Sequence, residues 1–322
     1  MKRFATILIL IVFALVATAM ASNNIKKGST IAFLRSGDIW LMESDGSNQR
    51  PFVAGIGNAV GRLSWSPDNK RLAFVRRGDL SVKYPDGGGG QHKLYDVFYA
   101  YTDSTNNFWE GITETMGGQW PEFSRDGSRI LFVHDRNANS VNAMLPKYRL
   151  SFYDTKSYLL RDLELTPSSD LLCSYATMSP DMTKVAFSVM AVRDKQFSPE
   201  GIAIAALSDF PIKDADLIAS ARKFTNATAP SWSPDGQWIA FVSNDITNQG
   251  LHIVKPDLTG DKILWVPPSG MGLAAAAPSW SPDSKMLVFA TQNGSIYKIS
   301  LDGGEPVRLS GPGNDGSPAW CN

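Results

Sequence analysis

The stretch Ala229–Asn244, APSWSPDGQWIAFVSN, decides the fold. Its middle, Ser233-Pro234-Asp235-Gly236, has the chemistry of a type I turn. Ser at the first position bonds locally, Pro at the second pre-sets φ, and Gly at the fourth relieves the exit. Large apolar and β-prone residues flank it on both sides, so the unit is strand, turn, strand. The phrase recurs as LSWSPDNKRLAFV at Leu63–Val75, PEFSRDGSRILFV at Pro121–Val133, ATMSPDMTKVAFS at Ala176–Ser188 and PSWSPDSKMLVFA at Pro278–Ala290. Copies step by roughly 50–60 residues, the spacing of propeller blades.

A sixth copy is split between the ends. Ser317-Pro318-Ala319-Trp320 is a first strand with no second, and Thr30-Ile31-Ala32-Phe33-Leu34 is a second with no first. Joining them closes a ring and removes the edges an open array would expose. The predicted fold is therefore all-β, a six-bladed propeller of four-stranded blades, closed by pairing the C-terminal strand with the N-terminal strands. Large residues before the turns (Trp65, Phe123, Met178, Trp232, Trp280) are expected to fill the wedges between blades, and the turn Asp residues to serve the turns. Residues 76–93 and 192–199 are expected as loops, the first flexible at Gly87–Gly90. Residues 214–224 read either as a fourth strand or as a short helix.

Met1-Lys2-Arg3, the apolar run Ile7–Val16 and Ala19-Met20-Ala21 form a signal-peptide pattern over residues 1–21, with cleavage expected before Ser22 and an uncleaved anchor as the alternative. The propeller domain is expected over 22–322. No later stretch is apolar enough to span a membrane. Without Lys2 and Arg3 the chain carries 29 basic against 31 acidic residues. That balance lacks the basic face that nucleic acid requires. Cys173 and Cys321 fall half a ring apart and are expected as two unpaired thiols.

The repeated x-W-S-P-D-G-x-x-I-A-F, with I-Y-x-x-x-x-D-G-G in the last unit, resembles the TolB-like propeller repeat over nearly the whole chain. The resemblance implies a secreted or periplasmic protein of the bacterial envelope that binds a protein partner. The family's type member also has an α/β domain before its propeller, for which Ser22–Gly28 leave no room; a propeller-only relative is the expectation. The repeat also resembles the propeller domains of dipeptidyl-peptidase-type hydrolases and a bacterial oligogalacturonate lyase. A hydrolase of the first type needs a Gly-x-Ser-x-Gly elbow, which the sequence lacks. His92, His134 and His252 fall in three different blades and are expected as separate side chains rather than metal ligands. The polar loop at Asp135–Asn139 lacks the carboxylate spacing of a calcium loop. No cofactor, metal or catalytic residue is assigned.

Aligning the copies and stepping back three residues from the pre-turn residue gives Ser317, Arg62, Trp120, Tyr175, Ala229 and Ala277 in blade order. Arg62, Trp120 and Tyr175 are the candidate binding residues, a cation and two aromatics on adjacent blades. They either face the channel mouth or pack between blades, according to strand parity. The expected protein is a monomeric, non-catalytic binding propeller that engages a protein or envelope component, peptide or glycan, through a ring face. The alternative is a carbohydrate-active or hydrolytic enzyme with its site at the channel mouth.

Overall fold

The computed structural model describes residues 25–83, 89–103, 109–113, 117–137, 147–163, 171–193, 196–213, 216, 220–245 and 247–322. The expected leader lies outside them. Blade one holds β1 (Thr30–Arg35), β2 (Asp38–Glu43) and β3 (Arg50–Val53). Blade two is β4 (Ala59–Trp65), β5 (Arg71–Lys83), β6 (Gly89–Tyr101) and β7 (Trp109–Gly111). Blade three is β8 (Gly118–Phe123), β9 (Arg129–Asp135), β10 (Tyr148–Asp154) and β11 (Leu160–Leu163). Blade four is β12 (Leu171–Met178), β13 (Lys184–Arg193) and β14 (Gln196–Ala206). Blade five is β15 (Ala227–Trp232), β16 (Ile239–Ser243), β17 (Gly250–Val254) and β18 (Lys262–Trp265). Blade six is β19 (Ser279–Trp280), β20 (Met286–Ala290), β21 (Ile296–Ser300) and β22 (Val307–Arg308). The last strand, β23 (Asp315–Trp320), joins blade one, whose order is β23-β1-β2-β3.

The chain is thus a six-bladed propeller with its ring closed as the split repeat requires. Ile31 pairs with Trp320 and Arg35 with Asp315. Arg35 grips the Asp315 carboxylate with two 2.7 Å bonds, Nε to Oδ1 and Nη2 to Oδ2.

The core repeats with the sequence. The second strand of each blade buries one phenylalanine: Phe33, Phe74, Phe132, Phe187, Phe241 and Phe289. Each pre-turn residue joins the apolar cluster between its own blade and the preceding one, as expected of wedge fillers. Trp65 packs with Leu34 and Leu41 of blade one, and Trp280 with Val242 and Leu251 of blade five.

Two expectations need correction. Residues 76–93 are no simple loop: β5 and β6 pair from Arg71↔Tyr101 out to Lys83↔Gly89, so the hairpin projects beyond its blade. The 192–199 segment likewise continues β13 and β14, with Arg193 opposite Gln196. Among the described residues the blade-four sheet holds three strands, β12-β13-β14. Asp216, Ser220 and Ala221 are helical, in keeping with the short helix read at 214–224, and the 3-10 turn Arg222–Phe224 that follows lies against β14. Gly201, at φ 128°, permits this: a Cβ there would lie 2.3 Å from the carbonyl oxygens of Ala221 and Phe224.

Candidate functional site

The inner strands set the site. In blades one, three, four and five each gains one extra residue against its partner, a β-bulge. The bulges contain Ser317, Trp120, Tyr175 and Ala229, all with left-handed backbone at φ 47°, 51°, 48° and 56°. Blade two places Gly61, φ 73°, before Arg62 and slips by two residues. A bulge re-aims its side chain, so simple alternation no longer says where it points. Blade six has no left-handed residue here; Ala277 precedes the short β19.

Arg62, Trp120 and Tyr175 come together. Arg62 reaches past blade three to blade four, donating from Nη1 to the Ala176 carbonyl at 2.8 Å and from Nη2 to Glu122 Oε1 at 3.1 Å. The Tyr175 hydroxyl crosses from blade four towards blade six and donates to the Ala275 carbonyl at 2.6 Å. Burial pushes its phenol above the ordinary value. Trp120 lies against Tyr175, ring centroids 4.5 Å apart at 36°, and meets Tyr148 edge-on at 6.1 Å. Arg62 and Tyr175 line a channel cavity of about 150 Å³; Trp120 buttresses Tyr175 from behind.

All six blades contribute to that cavity, from the bulge level at Arg62 and Tyr175 to Pro67, Pro180 and Pro234 in the turns. Trp65, Trp232, Trp280 and Trp320 form part of its wall. Its lining holds three charged residues: Arg62, Glu122 and Arg125.

Two of these escaped the sequence reading. The residue just before the pre-turn residue is Ser64, Glu122, Thr177, Ser231, Ser279 or Ala319, one carboxylate among small side chains. In four wedges this side chain accepts a backbone N–H from the next blade: Ser64 from Phe123, Glu122 from Met178, Thr177 from Trp232 and Ser279 from Trp320. In the other two, a tryptophan Nε1 donates to the neighbour's carbonyl, Trp65 to Ala319 and Trp280 to Ser231. Glu122 thus belongs to an inter-blade girdle, and it also accepts from Thr177 Oγ1 at 2.9 Å. Burial pushes its carboxyl above the usual range, against the pull of Arg62 and the Thr177 and Met178 donors. Arg125 is the second. It stands where four other turns carry Pro67, Pro180, Pro234 and Pro282, and it places an exposed cation at the mouth. Both signals were present in the alignment as the odd residue in a column.

His134 and His252 lie away from the channel lining. His134 Nδ1 meets Asp162 Oδ1 at 3.2 Å. His252 is fully buried between Asp261 Oδ1, at 3.0 Å from Nδ1, and the Asn248 carbonyl, at 3.1 Å from Nε2. The His92 side chain lies outside the described residues. Among the described residues no three His, Cys, Asp or Glu side chains group as metal ligands. Cys173 and Cys321 are both buried, and neither is in a disulfide.

No protein-family model matches the sequence, and neither does any curated protein. Solved structures do. TolB from Acinetobacter baumannii is similar over 91% of this chain and 66% of its own length, with TM-score 0.63 and 21% identity. A TolB-like protein of Agrobacterium tumefaciens covers 89% of this chain and 90% of its own, with TM-score 0.59 and 16% identity. An oligogalacturonate lyase in complex with manganese covers 89% and 74%, with TM-score 0.50 and 12% identity. These likenesses make the fold a TolB-like six-bladed β-propeller.

Proposed function

We propose that this chain is a non-catalytic binding propeller of the bacterial envelope, periplasmic or secreted, that takes a segment of a protein or envelope component at the mouth of its channel. The observation that carries the reading is the state of the cavity's one carboxylate. Glu122 accepts from Arg62, Thr177 and Met178, so both of its oxygens are committed to joining blades. General acid–base chemistry wants a group whose oxygen can reach the substrate, and these oxygens are taken up by the inter-blade girdle. Recognition, by contrast, wants a preformed concave wall with placed polar groups, and the channel lining supplies one, with Arg62, Arg125 and Tyr175 set among its serines. The leader pattern and the TolB-like fold support the envelope placement. Among the described residues no helix is long and apolar enough to cross a membrane.

The test is affinity capture from an envelope extract with three baits: wild type, Arg125→Glu, and the Arg62/Trp120/Tyr175 triple-Ala variant. Arg125 is exposed, so its reversal leaves the fold intact and isolates the mouth. The expected result is one partner recovered by wild type and reduced at least about tenfold by Arg125→Glu, since anchors at an interface centre commonly carry that much. Equal recovery by both variants would move the site away from the channel. Turnover of an added oligogalacturonate or peptide by wild type, lost in the triple variant, would replace binding with catalysis.

A further inference from the structure

The outer opening of the wedge between blades two and three carries an aromatic cluster unconnected with the channel. Tyr99 and Tyr101 of β6 sit two residues apart, so they share a face of the strand. Their rings meet edge-on with centroids 5.3 Å apart. Both phenols donate to one atom, Glu110 Oε2 on the neighbouring β7, at 2.9 and 3.1 Å. Neither bond falls on Oε1, and Glu110 is exposed. Arg71 lies over the Tyr99 ring at 5.4 Å. From blade three, Tyr153 joins the same apolar cluster as Tyr99 and lies within electrostatic reach of Glu110, Tyr158, Arg71 and Tyr101.

Tyr158 completes the group. Its ring stands edge-on to Tyr153 at 6.3 Å, yet 66% of the residue is exposed. A tight turn presents it. Asp154 Oδ1 accepts the Lys156 and Ser157 N–H groups, Asp154 O accepts the Tyr158 N–H, and Tyr158 itself is left-handed at φ 60°. A bulky residue in that conformation is uncommon. Here the turn fixes the base of the ring while its face stays in water. Burial, with the Tyr101 and Glu110 bonds, pushes the Tyr99 phenol far up, so it remains a donor.

Three properties select a ligand class. An exposed ring held by its turn offers a π-face to aliphatic C–H groups and loses little freedom on binding. A carboxylate oxygen and clustered phenols offer acceptors and donors to hydroxyl groups. Glu110 and Asp154 stand against Arg71 and Lys156, so the patch carries both signs and no single charge selects a strongly charged partner. A molecule with apolar ring faces and a rim of hydroxyls meets all three. We propose that Tyr158, Tyr101 and Glu110 form a carbohydrate-binding platform on the outer wall, separate from the channel and independent of what the channel binds.

The experiment titrates the full chain with two neutral β-linked probes, cellotetraose and chitotetraose, up to ~10 mM, following the tyrosine ring signals by NMR, since weak single-site recognition lies in the millimolar range. At least one probe is expected to give saturable shifts. Tyr158→Ala is expected to lower affinity about tenfold, and Glu110→Gln about threefold to tenfold, the loss of one stacking face and one charged acceptor. Tyr158→Phe keeps the ring and is expected to bind within about threefold of wild type, while Arg125→Glu at the channel mouth changes nothing. Absence of saturation with both probes overturns the proposal. So does wild-type binding by Tyr158→Ala, or equal loss in Tyr158→Phe and Tyr158→Ala. Inhibition of sugar binding by Arg125→Glu assigns the sugar to the channel and overturns the platform. Should Tyr158→Ala fail to fold, the Tyr158→Phe and Glu110→Gln pair still decides: an unaffected Glu110→Gln overturns the acceptor role.

Discussion

The fourth position of each turn is left-handed in all five complete repeats: Asn69, Gly127, Met182, Gly236 and Ser284. Glycine suits that conformation best. Each of the three other residues has a use that offsets its backbone cost. Asn69 donates to the Asn322 carbonyl at 2.6 Å and accepts its N–H at 2.9 Å. Ser284 Oγ accepts the Asp235 N–H of the neighbouring blade. Met182 packs on the core between blades three and four. Arg62 and Glu122 repeat the lesson within the channel. Their side chains are only 11% and 16% exposed, so removing one partner leaves the other's charge stranded. Arg62→Ala is expected to cost about 3 kcal/mol, in the range found when one member of a buried pair is deleted. Replacing Glu122 by serine, the residue that β4 carries at the equivalent position, removes the stranded charge. Arg62→Ala/Glu122→Ser should therefore be more stable than Arg62→Ala alone. Urea unfolding of the three variants checks this, and simple additivity would show that the pair is not coupled.

At the scale of one blade, the strands are tied by more than their ladders. In blade three, Asp162 of β11 accepts from Ser151 of β10, from His134 of β9, and from Arg136 just beyond β9. Burial alone would raise the Asp162 carboxyl, but donation from His134, Ser151 and Arg136 overcomes it and holds the group well below the ordinary range. A carboxyl depressed in the folded state stabilises above its unfolded value, about 3.9, and that contribution is lost as pH falls through the folded value. Asp162→Asn should therefore be less stable than wild type at pH 7 by about 2 kcal/mol. The difference should shrink steadily as pH falls below about 4. Thermal unfolding across roughly pH 2–7, which takes in the unfolded value and the onset of the loss below it, measures it. A gap that stays constant with pH would remove Asp162 as the titrating group. The blade-two ribbon belongs to this scale too. Beyond Arg77, β5 has left β4 and pairs with β6 alone, and a two-stranded ribbon has little stability of its own.

For the whole molecule, closure is the controlling event. Strand β23 supplies blade one's inner strand, a share of the core between blades six and one, and the Asp315 clamp on Arg35. Without it the ring becomes an open array with exposed strand edges, which invite pairing with other chains. A chain ending before Asp315 is expected to lose its single cooperative unfolding transition and to associate in solution. Light scattering and a urea titration check both, and a monomeric truncation that unfolds in one step would show that closure is dispensable. How much of this was legible beforehand follows from what repetition averages. Five copies of one phrase fixed the blade count, the turn chemistry and the large wedge residues, because each was written five or six times, and they exposed the split blade as the copy divided between the two ends. Glu122 and Arg125 were written once, and a reading that looked for agreement passed over them. The hairpin ribbons of blades two and four lack any repeat to signal them. The aim of Arg62, Trp120 and Tyr175 is the clearest division. Their identity and their place on adjacent blades belong to the sequence alone. Their convergence was decided only in three dimensions, because left-handed residues in the inner strands break the two-residue alternation on which any forecast of direction must rest.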